Sequence, residues 1–164
     1  MEYLLCLGSN MGRRVENLRQ ARLFLGDCGK IKAISGIYET RPVDMAPNSR
    51  WFLNQAVKLE SWMTPLGLLA GVKEIERRMG RSPLDPGDSA HQPRPIDIDI
   101  LAAEGRIFHR KDLVVPHPRM AERAFVLCPL REIAPEWVHP ELKRSVAELA
   151  AHLCDGDAVR RIDQ

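Results

Sequence analysis

The chain has 164 residues, 45% of them hydrophobic and 28% charged, with a formal net charge of +2; this is the balance of a folded domain and excludes a disordered chain. So small a charge also excludes general nucleic-acid binding by bulk electrostatics, and any handling of anions must come from local clusters. No run approaches the ~18 apolar residues of a membrane span, and the N-terminal MEYLLCLGSN lacks the length and basic flank of a signal peptide.

The length suits one domain over residues 1–164, expected in the cytoplasm with no membrane contact. Cys6, Cys28, Cys128 and Cys154 are scattered without a Cys-x-x-Cys. That spacing predicts reduced, buried thiols rather than a zinc site or a disulfide frame.

In chain order, YLLCLGS (3–9) reads as a buried strand ending in the turn-forming Gly8-Ser9-Asn10. Val15, Leu18 and Leu25 fall near helical spacing, so a helix is predicted from about Arg13 to Leu25, with Gly26 as its stop. KIKAISGIYET (30–40) and WFLNQAVKLES (51–61) read as strands joined by the turn-rich RPVDMAPNSR. Alternation in the second puts Phe52 and Asn54 on a common face. TPLGLLAGVKEIERRMG is the clearest helix, with Thr64 at the N-cap, Pro65 in the first turn, an apolar stripe of Leu68, Val72, Ile75 and Met79, and Gly80 at the stop. Residues 82–95 hold Pro83, Pro86, Pro93 and Pro95 and are expected to form a loop. The strand IDIDIL follows, then a helix from about Glu122 to Ile133 and an amphipathic tail helix carrying Val146, Leu149 and Leu153. The fold class expected is α+β, a ferredoxin-like βαββαβ core with appended C-terminal helices.

The chemistry centres on PRPIDIDIL (93–101). Ile96, Ile98 and Ile100 can enter the core while Asp97 and Asp99 project from the other face, their α-carbons roughly 6.5–7 Å apart. Two carboxylates so close repel, and a shared hard cation such as Mg²⁺ relieves the repulsion. A pair on one strand can also bridge two ions in phosphoryl transfer. The plainer alternative is an alternating strand with one solvated face. Arg94 stands between two prolines, Arg81 follows the Gly80 stop, and VPHPRMAERAF (115–125) adds His117, Arg119 and Arg123. Guanidinium forks grip phosphate oxygens, and acids for metal with arginines for phosphate are what a nucleotide-dependent transfer needs.

GSNMG, YETRPV, FLNQAV, IERRMGR, PRPIDIDIL, VPHPRM and RAFVLCPL, in this order over roughly residues 3 to 135, resemble the 6-hydroxymethyl-7,8-dihydropterin pyrophosphokinase family. The resemblance implies a ferredoxin-like fold and a Mg-dependent diphosphotransferase that moves pyrophosphate from ATP to the pterin hydroxymethyl group and releases AMP in folate biosynthesis. It implies two Mg²⁺ ions bound with ATP by Asp97 and Asp99, and Arg81 and Arg94 steadying the migrating phosphates. Lys73, Glu76, Ile100, His117 and Arg123 match nucleotide-contacting positions, although Lys73 and Glu76 also fit a simple i,i+3 ion pair. Thr40, Val43, Phe52, Asn54 and Phe125 match the pterin site, the two phenylalanines sandwiching the ring and Asn54 hydrogen-bonding it. Without the resemblance, both phenylalanines read as ordinary core.

The chain departs from the family pattern in SPLDPGDSAHQ (82–92), which has Asp85 and Asp88 but no Lys or Arg. His91 and Gln92 stand where Trp-Gly is usual, Pro95 where threonine is common, and Arg41 where a small or apolar residue is usual. Arg77, Arg78 and Lys111 are the basic residues available to stand in. Three rivals remain at this level: a two-metal nuclease or phosphohydrolase, which wants further acids; a ferredoxin-like binding module for RNA, which wants an aromatic strand signature absent here, or for a small regulatory ligand; and a family member that binds pterin without turnover.

Overall fold

The computed structural model describes residues 1–41, 50–81, 93–154 and 159–162. In chain order its elements are β1 (Glu2–Ser9), α1 (Arg14–Leu25), β2 (Lys30–Ile34), β3 (Ile37–Thr40), β4 (Phe52–Glu60), α2 (Pro65–Arg78), β5 (Asp97–Ala103), β6 (Phe108–His109), β7 (Val114–Val115), a 3₁₀ turn (Met120–Glu122), α3 (Ala124–Ile133), α4 (Val146–Ala150) and β8 (Val159–Ile162). Among the described residues no helix is long and apolar enough to cross a membrane.

The main sheet runs β5-β1-β4-β3-β8, with β2 also paired to β4, and its pairings are antiparallel. The crossovers through α1 and α2 place β1 between β4 and β5. All but the first residue of β1 are buried, because helices cover both faces of the sheet. On one side Leu5, Leu7, Leu53, Val57 and Ile98 pack with Leu18, Leu25, Leu68 and Val72 of α1 and α2. On the other, Leu4, Cys6 and Ala56 pack with Val126, Leu127 and Leu130 of α3 and Leu149 of α4. A strand covered on both faces reads as a continuous apolar run, as YLLCL does.

The α2 helix follows its sequence signals: Thr64 Oγ1 accepts the Gly67 N–H at 3.2 Å, and Pro65 opens the first turn. The strand expected over 30–40 is interrupted at Ser35–Gly36. There the Gly36 N–H leaves the sheet to donate to Glu132 Oε2 of α3 at 2.7 Å. A Cβ at Gly36 would lie 2.5 Å from Arg161 Nε, so any side chain here would displace the Arg161 guanidinium from this bend.

Two expectations are corrected. Cys128 and Cys154 are joined by a disulfide, with α-carbons 5.6 Å apart, whereas Cys6 and Cys28 are free and buried. The scattered spacing is misleading because α3 and the end of the α4 segment pack together; proximity in space is independent of sequence separation. The C-terminal appendage is also not helical alone: β8 pairs with β3, Thr40 opposite Val159 and Tyr38 opposite Arg161. VRRI is too short to announce itself as a strand, and it forms because β3 presents an open edge.

Candidate active site

A single row of the sheet organises the site. Asp97 of β5 is paired with Gly8 of β1, Gly8 with Asn54 of β4, and Asn54 with Tyr38 of β3. Two residues along, Thr40 opposes Phe52, and two residues the other way Asp99 opposes Cys6, itself opposite Ala56. Opposed residues in a ladder project to the same face, so both acids share the α3-covered face with Phe52, Asn54 and Thr40. Gly8 is the bare floor between them. A Cβ there would stand 3.1 Å from Asn54 Oδ1 and 3.6 Å from Phe52 Cδ1.

At the acid end, Arg81 Nη1 lies 2.5 Å from Asp97 Oδ1 and 2.7 Å from Glu76 Oε1. Arg94 Nη1 is 3.5 Å from Asp97 Oδ2. Burial opposes the charge of Arg81, but Asp97 and Glu76 outweigh it and raise its pKa. Glu76 is only 2% exposed; its Oε1 accepts the Ile98 N–H at 2.8 Å and its Oε2 accepts Lys73 Nζ at 2.9 Å. Burial pushes the Glu76 carboxyl up against the pull of Lys73 and Arg81. The Lys73–Glu76 ion pair therefore exists, and Glu76 also ties α2 to the strand that carries both acids. Nothing in the sequence marks that tie except an acid on the buried side of an amphipathic helix.

Asp99 is pushed up to about 6, first by burial and then by Asp97, with Arg123, Lys73 and Arg94 pulling the other way. This uncompensated repulsion and the all-oxygen character of the pair suit a hard divalent cation that keeps waters and is completed by a ligand's phosphates. Among the described residues no group of three or more His, Cys, Asp or Glu could hold a metal, so a cation at this pair would need further ligands from water or a bound phosphate.

Toward the other end, Asn54 Nδ2 donates to Thr40 Oγ1 at 2.7 Å, both residues being buried. Phe52 and Phe125 are half-buried rather than sealed in the core, and the Arg123 guanidinium lies 5.5 Å from the Phe125 ring centre. Burial and the charge of Arg123 hold His117 below its ordinary pKa, and its backbone N–H donates to Leu101 O at 2.8 Å. Ile100 packs in the α1–α2 core, so its side chain is turned away from the acids. Val43, the departing loop 82–92 and its His91 and Gln92 lie outside the described residues. Arg77 is paired with Glu74 at 2.7 Å and Arg78 lies 4.1 Å from the Phe24 ring centre, so both are engaged away from the acids. Sequence reasoning missed the bracket at the end of β1: Asn10 Oδ1 accepts the Arg94 N–H at 2.8 Å, and Asn17 Nδ2 donates to Ser9 Oγ and Met11 O. The signal available was the preference of Asn for side-chain-to-backbone bonds in turns.

Residues 4–135 match the family described as 7,8-dihydro-6-hydroxymethylpterin-pyrophosphokinase (HPPK). The chain belongs to that family. Among HPPK relatives, the 2-amino-4-hydroxy-6-hydroxymethyldihydropteridine pyrophosphokinase of Bacillus subtilis is 40% identical over 131 residues, covering 79% of this chain and 75% of its own. The folic acid synthesis protein FOL1 of Dictyostelium discoideum is 35% identical over 158 residues, covering 96% of this chain. This chain spans only 23% of that larger protein. The solved HPPK-DHPS of Plasmodium falciparum has the same fold, with a TM-score of 0.77 at 17% identity over 98% of this chain and 47% of that one. The HPPK match ends before α4 and β8, which lie beyond residue 135.

Proposed function

We propose that this chain transfers pyrophosphate from ATP to 6-hydroxymethyl-7,8-dihydropterin, giving the pterin diphosphate and AMP, a step of folate biosynthesis. The observation that carries this reading is the sheet row Asp97–Gly8–Asn54. Strands are about 4.8 Å apart, so the acids and the amide sit roughly 10 Å from each other across a floor without a side chain. A flat heterocycle held at Asn54 and Thr40 between Phe52 and Phe125 points its hydroxymethyl group along that floor toward phosphates held at the acid end. Val43 belongs to the same pterin set.

The pterin hydroxyl oxygen forms a bond to the β-phosphorus, the bond from that phosphorus to the α,β-bridging oxygen breaks, AMP leaves with that oxygen, and the hydroxyl proton passes to solvent. Arg81 and Arg94 already converge on Asp97 and have phosphate oxygens as alternative acceptors when ATP arrives; Lys73, His117, Arg123 and the Ile100 backbone complete the nucleotide side, with Glu76 holding the strand. Two Mg²⁺ ions held by Asp97 and Asp99 would neutralise phosphate charge and orient the triphosphate. Positioning and electrostatics carry the rate, and no side chain is assigned as general base.

The strand order β5-β1-β4-β3 supports a ferredoxin-like arrangement, and β8 and the disulfide, which tie the tail to the sheet and to α3, support one domain over 1–164. The disulfide removes the thiol argument for the cytoplasm; the need for ATP is what favours it. The test is incubation with ATP, Mg²⁺ and the pterin, resolving AMP from ADP. AMP that requires both pterin and metal, and is lost in Asp97→Ala, is the expected result. ADP would mean single-phosphoryl transfer, and pterin binding without either product would mean a member that has lost turnover.

A further inference from the structure

The turn that ends β1 holds an arrangement the transfer chemistry above does not use. Asn10 is polar, yet only 1% exposed. Its Oδ1 accepts the Arg94 N–H at 2.8 Å, and its own N–H donates to the Arg94 carbonyl at 3.3 Å. The bonds run both ways between one residue and one backbone unit, so they fix that unit in position and in rotation. The last β1–β5 ladder pair is Gly8 with Asp97, and Arg94 lies before the first residue of β5. Asn10 thus extends the grip of β1 past the end of the ladder. The donor is a backbone N–H, so the atom facing it must be an acceptor, which fixes the orientation of the Asn10 amide.

The bracket is itself anchored. Asn17 of α1 donates through Nδ2 to Met11 O at 2.8 Å and to Ser9 Oγ at 3.2 Å, so the residues on either side of Asn10 are held by a helix. On the other side of the contact, Pro93 and Pro95 limit the dihedral freedom around Arg94. They limit its shape but not its place, because proline ties a chain to nothing outside itself. Asn10 supplies a tie from outside that segment to the backbone of Arg94, whose guanidinium lies 3.5 Å from Asp97.

We propose that Asn10 is a positioning residue for Arg94, holding its backbone so that the guanidinium meets the transferred phosphates. This rests on the reading of Arg94 as a phosphate-holding residue. Arg94 contributes most when charge develops on the migrating group, so its displacement is felt in kcat more than in the binding of either substrate. A misplacement on the order of 1 Å costs up to about 100-fold.

The test is a double-mutant cycle on the full chain, measuring AMP formation together with the melting temperature. Asn10→Ala is expected to lower kcat by about 10- to 100-fold while both KM values stay within about threefold. In an Arg94→Ala background the same substitution is expected to change kcat by less than about threefold, because residues acting through one another are non-additive. Equal losses from Asn10→Ala in both backgrounds, with Arg94→Ala itself impaired, would overturn the role of Asn10 and leave that of Arg94 standing. Wild-type kcat in Arg94→Ala would overturn the assignment of Arg94 and this proposal with it. If Asn10→Ala does not fold at the assay temperature, the same cycle is run with Asn10→Ser, whose hydroxyl stops short of the Arg94 N–H.

Discussion

At the residue scale, the acids and Glu76 show how the site trades stability for chemistry. Asp99 is a poorly solvated carboxylate facing a like charge; removing its charge relieves both costs. Asp99→Asn is therefore expected to raise the melting temperature of the metal-free protein by a few degrees, about 2–4 °C per kcal/mol for a chain of this size, while AMP formation falls below detection. An unchanged or lower melting temperature in a thermal scan would mean that the repulsion is already relieved in the free protein. Glu76 is also raised by burial but differs in its partners. It is buried and accepts from Ile98, Lys73 and Arg81, so its loss leaves the buried Ile98 N–H without this acceptor and Arg81 with Asp97 alone. Glu76→Ala is expected to cost about 3 kcal/mol, and Glu76→Gln, which keeps an oxygen for the Ile98 N–H, distinctly less in the same denaturation experiment. Gly8→Ala belongs here too, since its Cβ would crowd Asn54 and Phe52. The expected outcome by calorimetry is weakened pterin binding with ATP binding retained.

At the element scale, α3 is the piece whose placement matters most. It covers the site face with Phe125 near its start, and it carries Cys128 one turn later. The disulfide to Cys154 closes a loop across a sequence separation of 26, for which the chain-entropy relation gives about 3.5 kcal/mol. Cys154→Ser is expected to lower the melting temperature by roughly 7–14 °C, and dithiothreitol should reproduce that loss in the native protein but add nothing to the variant. The other element-scale device is the bend between β2 and β3, where Glu132 takes both the Gly36 N–H and the Tyr38 hydroxyl. The α3 helix is thus bonded to the strand that carries Thr40, and the two sides of the proposed pterin site are held to one another.

For the molecule as a whole, the tail completes the sheet. With β8 in place, the β3 edge is covered, and the outermost strand carries the exposed Arg160 and Arg161, which discourage edge-to-edge association. Glu39 joins three elements through Arg160 Nη2 at 2.8 Å and Arg14 at 3.2 Å. Burial works to raise its pKa, but Arg160 and Arg14 together hold it below the ordinary range. A carboxylate with a depressed folded-state pKa stabilises the fold above its unfolded value of about 4.3, and that contribution is lost as pH falls through the lower, folded value. Arg160→Ala is accordingly expected to lower stability at pH 7 by no more than about 1 kcal/mol, and the difference from the native chain should vanish in melts at the acid end. A difference that persists at low pH would assign the effect to packing of β8 rather than to the ion pair.

Much of this molecule was legible before its structure. The period of two in IDIDIL put both acids on one face, the apolar stripe and Thr64 marked α2, and the order of the motifs pointed to the family, because these are local patterns written in consecutive residues. The disulfide, the pairing of β8 with β3, the break at Gly36, the burial of Glu76 against Ile98 and the bracket between Asn10 and Arg94 were not legible. Each is a contact between segments far apart in sequence, and its formation depends on which surfaces the packed helices and sheet bring together. Periodicity determines which way a side chain points; only the assembled fold decides what it meets.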